Sequence, residues 1–229
     1  IAIVQQKMQA RSLAEASGTP TDFSIFEVQH RCKDGRLIWG EVLAKPDRNA
    51  QGAIMGYHGI TRETTERKLL QDEVHDLAFY DPLTQLANRR LLIEHLNQTL
   101  HACQRQHDYG GLLFLDLDNF KRLNDAFGHQ TGDEALIAFS RISAEKLRKK
   151  DVFARIGGEE FACLLADTDE HTAVQVAERI RQGFAQLPLL EPGLLSVSIG
   201  VVTSRESGYD LSRLLSRADE ALYSAKGSG

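Results

Sequence analysis

The run GLLFLDL at residues 111–117 constrains the fold more than any other part of this sequence. It is apolar at nearly every position, which is typical of a central strand buried on both faces. A strand of this kind needs pairing strands at its sides and helices over its faces. The run therefore predicts a layered domain built around a sheet.

Helical and strand-like segments alternate around this run. An antiparallel hairpin is predicted over residues 153–163, where the diglycine Gly157-Gly158 can supply the positive φ of a two-residue turn. Another strand is predicted over residues 194–202. Helices are predicted from Asp81-Pro82 onward and at about 88–106, 119–127, 133–149, 170–186 and 209–226. The pattern predicts an α+β (α/β-like) sheet covered by helices.

Acidic side chains cluster at the ends of two of these strands. Asp116 and Asp118 alternate at the end of the apolar strand, so they share a face, and Glu159 and Glu160 follow the diglycine. If the strand pairs with the hairpin, Asp116 approaches the glutamates. Hard carboxylate oxygens with no nearby His or Cys suit Mg²⁺ or Mn²⁺ better than zinc. The alternative is that these acids only solvate loop ends.

The amino-terminal region has a different pattern. A helix is predicted over residues 1–16, followed by strands at 23–31, 37–44 and 54–60, with the second turn at Pro46–Asn49. A charged helix is predicted over 61–80. Its residues Leu70, Val74 and Leu77 have the spacing of a helix-pairing stripe, and a solvated connecting helix is the alternative.

Net charge and cysteine content indicate which partners and which compartment to expect. The net charge of -5 gives no electrostatic argument for nucleic-acid binding. Three widely spaced cysteines indicate reduced thiols, so we expect a cytoplasmic protein. No apolar run reaches the roughly 18 residues of a membrane span, and no signal peptide opens the sequence. Because the sequence starts at Ile1, we expect a longer parent, which could be membrane-attached.

Several motifs, in order, resemble the GGDEF family of diguanylate cyclases in its GGEEF form. The resemblance covers about residues 78–229. It is carried by DPLTQLANRR (81–90), FLDLDNFKRLNDAFGHQTGDEAL (114–136), GGEEF (157–161), SVSIGVV (196–202) and RADEALYSAKGSG (217–229). The resemblance implies a central mixed sheet surrounded by helices, related to nucleotidyl cyclase and polymerase palm folds. It also implies condensation of two GTP molecules into cyclic di-GMP with release of pyrophosphate.

The resemblance implies a metal-dependent catalytic site. Asp116 and Glu159 would hold Mg²⁺ (or Mn²⁺), with the backbone carbonyl of Leu117 as a further ligand. Glu159 would also help deprotonate the attacking ribose 3′-hydroxyl, and Glu160 would support it. Asp118 is better explained as a structural carboxylate that supports the ligands.

The resemblance also implies guanine readers and phosphate contacts. Asn124 and Asp133 match guanine-reading positions, and their amide and carboxylate can pair with the base edge. Without the resemblance, Asn124 would be a helix-end polar residue and Asp133 a helix N-cap. His129 matches a substrate-proximal position, with a structural histidine as the alternative.

Three further residues match phosphate contacts. Phe120 and Lys121 match a turn whose backbone amides close over phosphates. Lys226 matches a phosphate-gripping lysine, although alone it would be a favourable helix C-terminal charge. The family usually continues with Arg-Asn past Gly229, so we expect a phosphate-binding arginine to be absent or to follow this segment.

A regulatory site is implied by the RxxD pattern Arg148–Asp151, five residues before the diglycine. It resembles the family's inhibitory site for the product cyclic di-GMP, with Arg179 as a secondary arginine. An Arg fork can grip phosphate and an Asp can accept from guanine. The alternative is a charged helix end with favourable cations.

Residues 27–68 resemble the C-terminal part of a PAS sensor domain, through the KDG turn, Trp39 and the closing GITRETTERK. We expect a partial PAS domain at 1–66, a signalling helix at 67–80 and a GGDEF domain at 81–229. Each GGDEF domain binds one GTP, so we expect a homodimer under PAS-linked control. Three alternatives remain: a non-catalytic or weak cyclic di-GMP or GTP receptor, a cGMP-forming cyclase, and a sensor or dimerisation module.

Overall fold

The computed structural model describes residues 23–106, 108–186 and 195–228. The helix predicted over residues 1–16 lies outside the described residues. The chain divides into two compact units, one within residues 1–75 and one within residues 76–229. In the described ranges, no helix is both long and apolar enough to cross a membrane.

The first unit contains a three-stranded antiparallel sheet. Its strands are β1 (Ser24–Arg31), β2 (Leu37–Arg48) and β3 (Ile54–Glu63), in the order β1-β2-β3. The turn between β1 and β2 contains Gly35 at φ 87°, as the KDG sequence predicts. All three strand predictions are confirmed.

The second turn of this sheet lies later than predicted. β2 continues through Pro46, which pairs with Tyr57, and the turn instead joins Asn49 to Ala53 with Gly52 at φ 82°. Among the described residues, the pairing of β1 with β2 ends at Ala44, two positions before Pro46. A proline has no backbone N–H to donate, and it is tolerated where a strand is paired on one side.

Helix α1 (Thr65–Phe79) begins later than predicted, since residues 61–63 belong to β3. None of its side chains is buried. Leu70, Val74 and Leu77 are 53%, 66% and 65% exposed, so the predicted apolar stripe exists on the helix surface.

The second unit combines a five-stranded sheet with helices. The strands are β4 (Ala87–Asn88), β5 (Gly110–Asp118), β6 (Val152–Gly157), β7 (Glu160–Ala166) and β8 (Ser196–Thr203). The helices are α2 (Arg89–Gln106), α3 (Phe120–Phe127), α4 (His129–Glu145), α5 (Glu170–Ala185) and α6 (Leu211–Ser228).

The sheet order β4-β6-β7-β5-β8 is mixed, because β4 pairs parallel with β6 and the other pairs are antiparallel. The predicted α+β class with a mixed sheet is confirmed. β5 lies between β7 and β8, and all its residues up to Leu117 are buried. The continuous apolar run therefore forms the buried strand that it predicted.

The core lies on both faces of this sheet. Leu113, Leu115 and Leu117 of β5 pack with residues of α3, α4 and α5. Leu112 and Phe114, which alternate with them, pack with residues of α2 and α6. Asp116 follows Phe114 by two positions, so it lies on the α2/α6 face at the end of a buried strand.

The helix predicted from Asp81-Pro82 is absent, because those residues form a turn. The Asp81 carboxylate accepts hydrogen bonds from the Thr84 amide and hydroxyl, at 2.8 and 2.7 Å. Gln85 then adopts a left-handed conformation at φ 58°. A side-chain cap and a positive φ close the turn before a helix can form.

Two other boundaries differ from the prediction. Helix α4 begins at His129, and its N-cap is Gly128 at φ 85°, so Asp133 lies inside the helix and is not a cap. In the hairpin, Gly157 pairs with Glu160, and the two turn residues are Gly158 and Glu159. Of the two glycines only Gly158 has a positive φ, at 33°.

Candidate active site

The end of β5 brings the predicted acidic residues together. Asp116 pairs with Glu160 of β7 on one side and with Ser198 of β8 on the other. The amide of Leu117 donates to the carbonyl of Glu159 at 3.2 Å, which ties the hairpin turn to the strand end. The expected approach of Asp116 to the two glutamates is therefore present.

Asp116 is a buried carboxylate with one basic partner among the described residues. The Nζ of Lys226 in α6 lies 2.8 Å from Oδ2 of Asp116, whose side chain is only 9% exposed. Burial raises the pKa of Asp116, the Lys226 contact opposes that shift, and the charges of Glu159 and Asp118 add to it. The site thus holds more negative charge than its single lysine balances.

Asp118 has a different environment. Its Oδ2 accepts from the hydroxyl of Ser196 at 2.7 Å, and its Oδ1 accepts from the hydroxyl of Ser198 at 2.8 Å. Each carboxylate oxygen therefore has a partner on β8. This arrangement fits a residue that fixes the strand end, which is the structural explanation given above.

The turn that carries Glu159 is held by an arginine that the sequence analysis did not single out. Arg155 donates to the carbonyl of Gly158 through Nε and Nη2, at 3.0 and 2.8 Å. Its Nη1 also contacts both oxygens of Asp81, at 3.1 and 3.2 Å. An arginine two residues before a diglycine turn was the available signal.

Asp81 has the lowered pKa expected of an ion-paired carboxylate. Burial alone would raise the pKa of Asp81, but hydrogen bonds from Thr84 and Arg155 outweigh it and hold the pKa below its usual value. Asp81 is therefore charged at neutral pH and anchors the arginine.

The acidic site suits a hard divalent cation only in part. In the described part of the chain, no group of three or more His, Cys, Asp or Glu side chains is arranged to hold a metal ion. Asp116 and Glu159 nevertheless interact electrostatically, and a backbone contact joins their segments. Two carboxylates and a backbone carbonyl fit Mg²⁺ or Mn²⁺ that takes its remaining oxygen ligands from phosphate or water.

A second group of predicted residues lies where α3 packs on α4. The Oδ1 of Asn124 is buried without a hydrogen-bond partner in the described structure. It rests against Gly132, where an added Cβ would overlap Oδ1. Asp133 and His129 lie on the same helix as Gly132, and both are exposed. Because Oδ1 is covered by Gly132, the Asn124 side chain must turn before this acceptor can meet a ligand donor.

The start of α3 differs from its predicted role in one respect. The side chain of Phe120 is 8% exposed and belongs to the core, so only its backbone can face a ligand. Lys121 is exposed. Asn119, the N-cap, is left-handed at φ 61°, and its side chain does not cap the helix. The first amides of α3 are therefore not satisfied by their N-cap side chain.

The third group lies at the end of α4. Arg148 and Asp151 form a turn in which the Arg148 amide donates to Oδ2 of Asp151 at 2.8 Å. The other oxygen, Oδ1, is buried and has no partner among the described atoms. Arg179 of α5 reaches the same region, because its Nη2 donates to the carbonyl of Lys146 at 3.2 Å. Arg148 and Asp151 are therefore in direct contact, and Arg179 contacts the chain two residues before Arg148.

Comparison with known proteins agrees with this geometry. Residues 78–229 match the family described as "Diguanylate cyclase, GGDEF domain". A diguanylate cyclase of Vibrio cholerae serotype O1 is 34% identical over 179 residues, covering 78% of this chain and 56% of the relative. Diguanylate cyclase DgcM of Escherichia coli K12 is 40% identical over 217 residues, covering 94% of this chain and 52% of the relative.

The chain therefore spans about half the length of these curated relatives. A crystal structure of the coiled coil and GGDEF domain of DgcB from Caulobacter crescentus, in complex with c-di-GMP, has a TM-score of 0.65 and 28% identity. That match covers 72% of this chain and 91% of the DgcB chain. Because the family pattern spans most of the sequence and includes the strand end and hairpin described above, this chain belongs to the GGDEF family of diguanylate cyclases.

Proposed function

We propose that this chain condenses two GTP molecules into cyclic di-GMP and releases pyrophosphate. One observation carries the proposal: the buried Asp116 carboxylate lies at a strand end beside the Glu159 turn, with Lys226 at 2.8 Å. A buried carboxylate with surplus negative charge around it is costly unless a cation compensates it. Family membership supplies the reaction type that uses such a site.

In this proposal, Asp116, Glu159 and the carbonyl of Leu117 hold Mg²⁺ or Mn²⁺. When bound, the cation neutralises triphosphate oxygens and orients the reacting phosphate. Glu159 accepts the proton of the ribose 3′-hydroxyl, and Glu160, its neighbour on β7, supports that step. Arg155 holds the turn that carries Glu159 through its contacts with the Gly158 carbonyl.

Guanine recognition is assigned to Asn124 and Asp133. In this proposal the Asn124 side chain, whose Oδ1 lies covered against Gly132, turns toward the base so that its amide pairs with the guanine edge. Guanine presents donors at N1 and at its exocyclic amine, and the exposed Asp133 carboxylate accepts from the same edge. Adenine lacks that pair of donors, so the site rejects ATP.

The triphosphate is assigned to the start of α3 and the end of α6. Backbone amides at Phe120 and Lys121 are not capped by the Asn119 side chain, and helix N-termini favour anions. Lys226 contributes a cation, and His129 lies close in sequence to the guanine-reading residues.

Dimerisation is assigned to α1. One domain binds one GTP, so two active sites must face each other in a C₂ homodimer. The exposed stripe Leu70, Val74 and Leu77 supplies a helix-pairing surface. The DgcB relative is described as a coiled coil with a GGDEF domain. The three-stranded sheet before α1 resembles the end of a PAS domain, and we assign it a regulatory input.

Product inhibition is assigned to Arg148, Asp151 and Arg179. Oδ1 of Asp151 is buried, so the turn must open before this oxygen can accept from guanine N1-H, whereas the exposed Arg148 guanidinium can bind a phosphate directly. Arg179 lies at the same end of α4 and adds a second cation. These contacts suit a guanine nucleotide with accessible phosphates.

Mass identification of the product formed from GTP and Mg²⁺ tests the proposal. We expect cyclic di-GMP, and a loss of about 100-fold or more in rate for Glu159→Gln. Glu170→Gln, the same change on an exposed residue of α5, should retain the wild-type rate. Formation of cGMP would refute the two-substrate reaction. Binding of cyclic di-GMP without any turnover would instead identify a receptor, a function that the Arg148 cluster alone could support.

A further inference from the structure

The contact between Lys226 and Asp116 places a protein cation on a carboxylate that the proposed function assigns to the metal. Lys226 Nζ lies 2.8 Å from Oδ2 of Asp116. Among the described residues, no other basic side chain pairs with Asp116. A divalent cation at Asp116 would therefore meet a positive charge already in contact with one of its oxygens.

The surroundings make this lysine the main counter-charge of the site. Glu159 and Asp118 both act on Asp116 as neighbouring negative charges. Each oxygen of Asp118 already accepts a hydrogen bond from a serine of β8, whereas the Asp116 side chain contacts Lys226. Among the described residues, Lys226 is thus the cation in contact with this carboxylate cluster.

The two partners differ in their freedom to move. Asp116 is held within a paired strand and is 9% exposed, whereas the Lys226 side chain is 42% exposed and comes from the last turn of α6. Its long stem can swing away from Asp116 without leaving a hole in the core. The lysine can therefore exchange one anionic partner for another at little structural cost.

We propose that Lys226 is an internal counter-cation that competes with the divalent cation for Asp116 and transfers to substrate phosphate when metal and nucleotide bind together. This inference rests on the proposed function. Metal alone must displace the lysine or remain beside it, and like charges repel. A triphosphate supplies the negative charge that accommodates both cations, so metal and GTP bind with positive coupling.

Binding of Mn²⁺ alone to the full chain tests this inference without turnover. The electron paramagnetic resonance signal of free Mn²⁺ gives the dissociation constant. We expect Lys226→Met and Lys226→Gln to bind Mn²⁺ about tenfold more tightly than wild type, within the range of measured couplings between sites. Lys226→Arg keeps the charge and should resemble wild type. Lys33→Met removes an exposed charge in the first unit and should also leave Mn²⁺ binding unchanged.

Binding of a nonhydrolysable GTP analogue should change in the opposite direction from Mn²⁺ binding. In the presence of saturating Mn²⁺, Lys226→Met should bind the analogue about tenfold more weakly, because the phosphate loses its lysine. A merely structural lysine would weaken both ligands or neither. Thermal melts of both uncharged variants establish that they are folded.

The outcomes separate this inference from the proposed function. If Asp116→Asn abolishes Mn²⁺ binding but both uncharged Lys226 variants bind Mn²⁺ like wild type, counter-cation competition is wrong and the metal site stands. If Asp116→Asn leaves Mn²⁺ binding unchanged, the metal assignment fails and the inference fails with it. Tighter metal binding together with weaker nucleotide binding supports the inference.

Discussion

Replacing Arg155 by Met should loosen the hairpin turn that carries Glu159 while leaving the first unit intact. Arg155 joins two elements, because its guanidinium contacts both oxygens of Asp81 and also the carbonyl of Gly158. Met fills similar space but donates no hydrogen bond. The change therefore removes the hydrogen bonds of the Arg155 guanidinium and keeps most of the side-chain packing.

The expected cost follows from those contacts. The side chains of Arg155 and Asp81 are 15% and 18% exposed, so water screens their interaction only partly. Hydrogen bonds to charged groups contribute about 1.5–3 kcal/mol each. Asp81 keeps its bonds from Thr84, and water can reach the exposed Gly158. We therefore expect a loss of about 2–4 kcal/mol, with a coupling to Asp81→Asn of about 1–3 kcal/mol in a double-mutant cycle.

Urea unfolding with two signals measures this loss and provides an internal control. Trp39 is the only tryptophan in the sequence, and it belongs to the first unit. Its fluorescence should report the first unit and remain unchanged, while far-UV circular dichroism should show earlier unfolding of the helix-rich second unit. The rate of cyclic di-GMP synthesis should fall by up to about 100-fold, because a misplaced Glu159 reacts poorly.

The pH dependence gives an independent check. Burial is the largest single influence on the pKa of Asp81 and raises it. The hydrogen bonds from Thr84 and Arg155 together outweigh burial, so the pKa of Asp81 is lowered in the folded state. The ion pair therefore stabilises the fold fully above the unfolded Asp pKa of about 3.9, and this stabilisation is lost as pH falls through the lower folded value. The stability gap between wild type and Arg155→Met should narrow in that acidic range. Additive costs of Arg155→Met and Asp81→Asn, or an equal shift of the Trp39 transition, would refute the reasoning.

Four further outcomes are expected. Phe139→Ala should cost about 3–5 kcal/mol in urea unfolding, because this ring is fully buried and contacts three other phenylalanines. Asp116→Asn should abolish synthesis of cyclic di-GMP, yet it should raise the thermal unfolding midpoint measured without metal. The pKa of Asp116 is raised, mainly by burial, so the charged carboxylate destabilises the folded state at neutral pH. A thermal midpoint lower than that of wild type would contradict this expected stabilisation. Leu70→Glu should shift a dimer toward monomer in light scattering, whereas Leu69→Glu, outside the stripe, should not. Arg148→Ala should lose inhibition by added cyclic di-GMP in initial-rate assays, and undiminished inhibition would exclude the proposed product site.

Local sequence patterns were sufficient to predict an element where neighbouring residues alone determine its conformation or its buried face. The strand β5 was predicted because burial on both faces requires an apolar residue at nearly every position. Gly35 marked its turn because a positive φ favours glycine. The exposed stripe of α1 was also readable, since helical spacing alone places those residues on one surface.

Local patterns failed where a side chain or a partner strand changed the outcome. Asp81 caps a turn instead of starting a helix, because its carboxylate is occupied by Thr84 and Arg155. Pro46 continues a strand, and it lies past the last β2 residue that pairs with the described part of β1. Because Gly157 pairs with Glu160, the hairpin turn lies one residue later than the predicted Gly157-Gly158. The register of a strand pair depends on both strands, so one strand's sequence does not fix it.

The sequence by itself determined which chemistry is available: the acids that end β5, the diglycine hairpin and the family to which they belong. Only the tertiary structure decided how those groups are paired. It placed Lys226 on Asp116, tied Asp118 to two serines, and left one oxygen of Asn124 without a donor in the part of the chain that the structure describes. The reason is physical: residue type and spacing control local conformation and burial, whereas contacts between distant segments depend on how the sheet and helices pack.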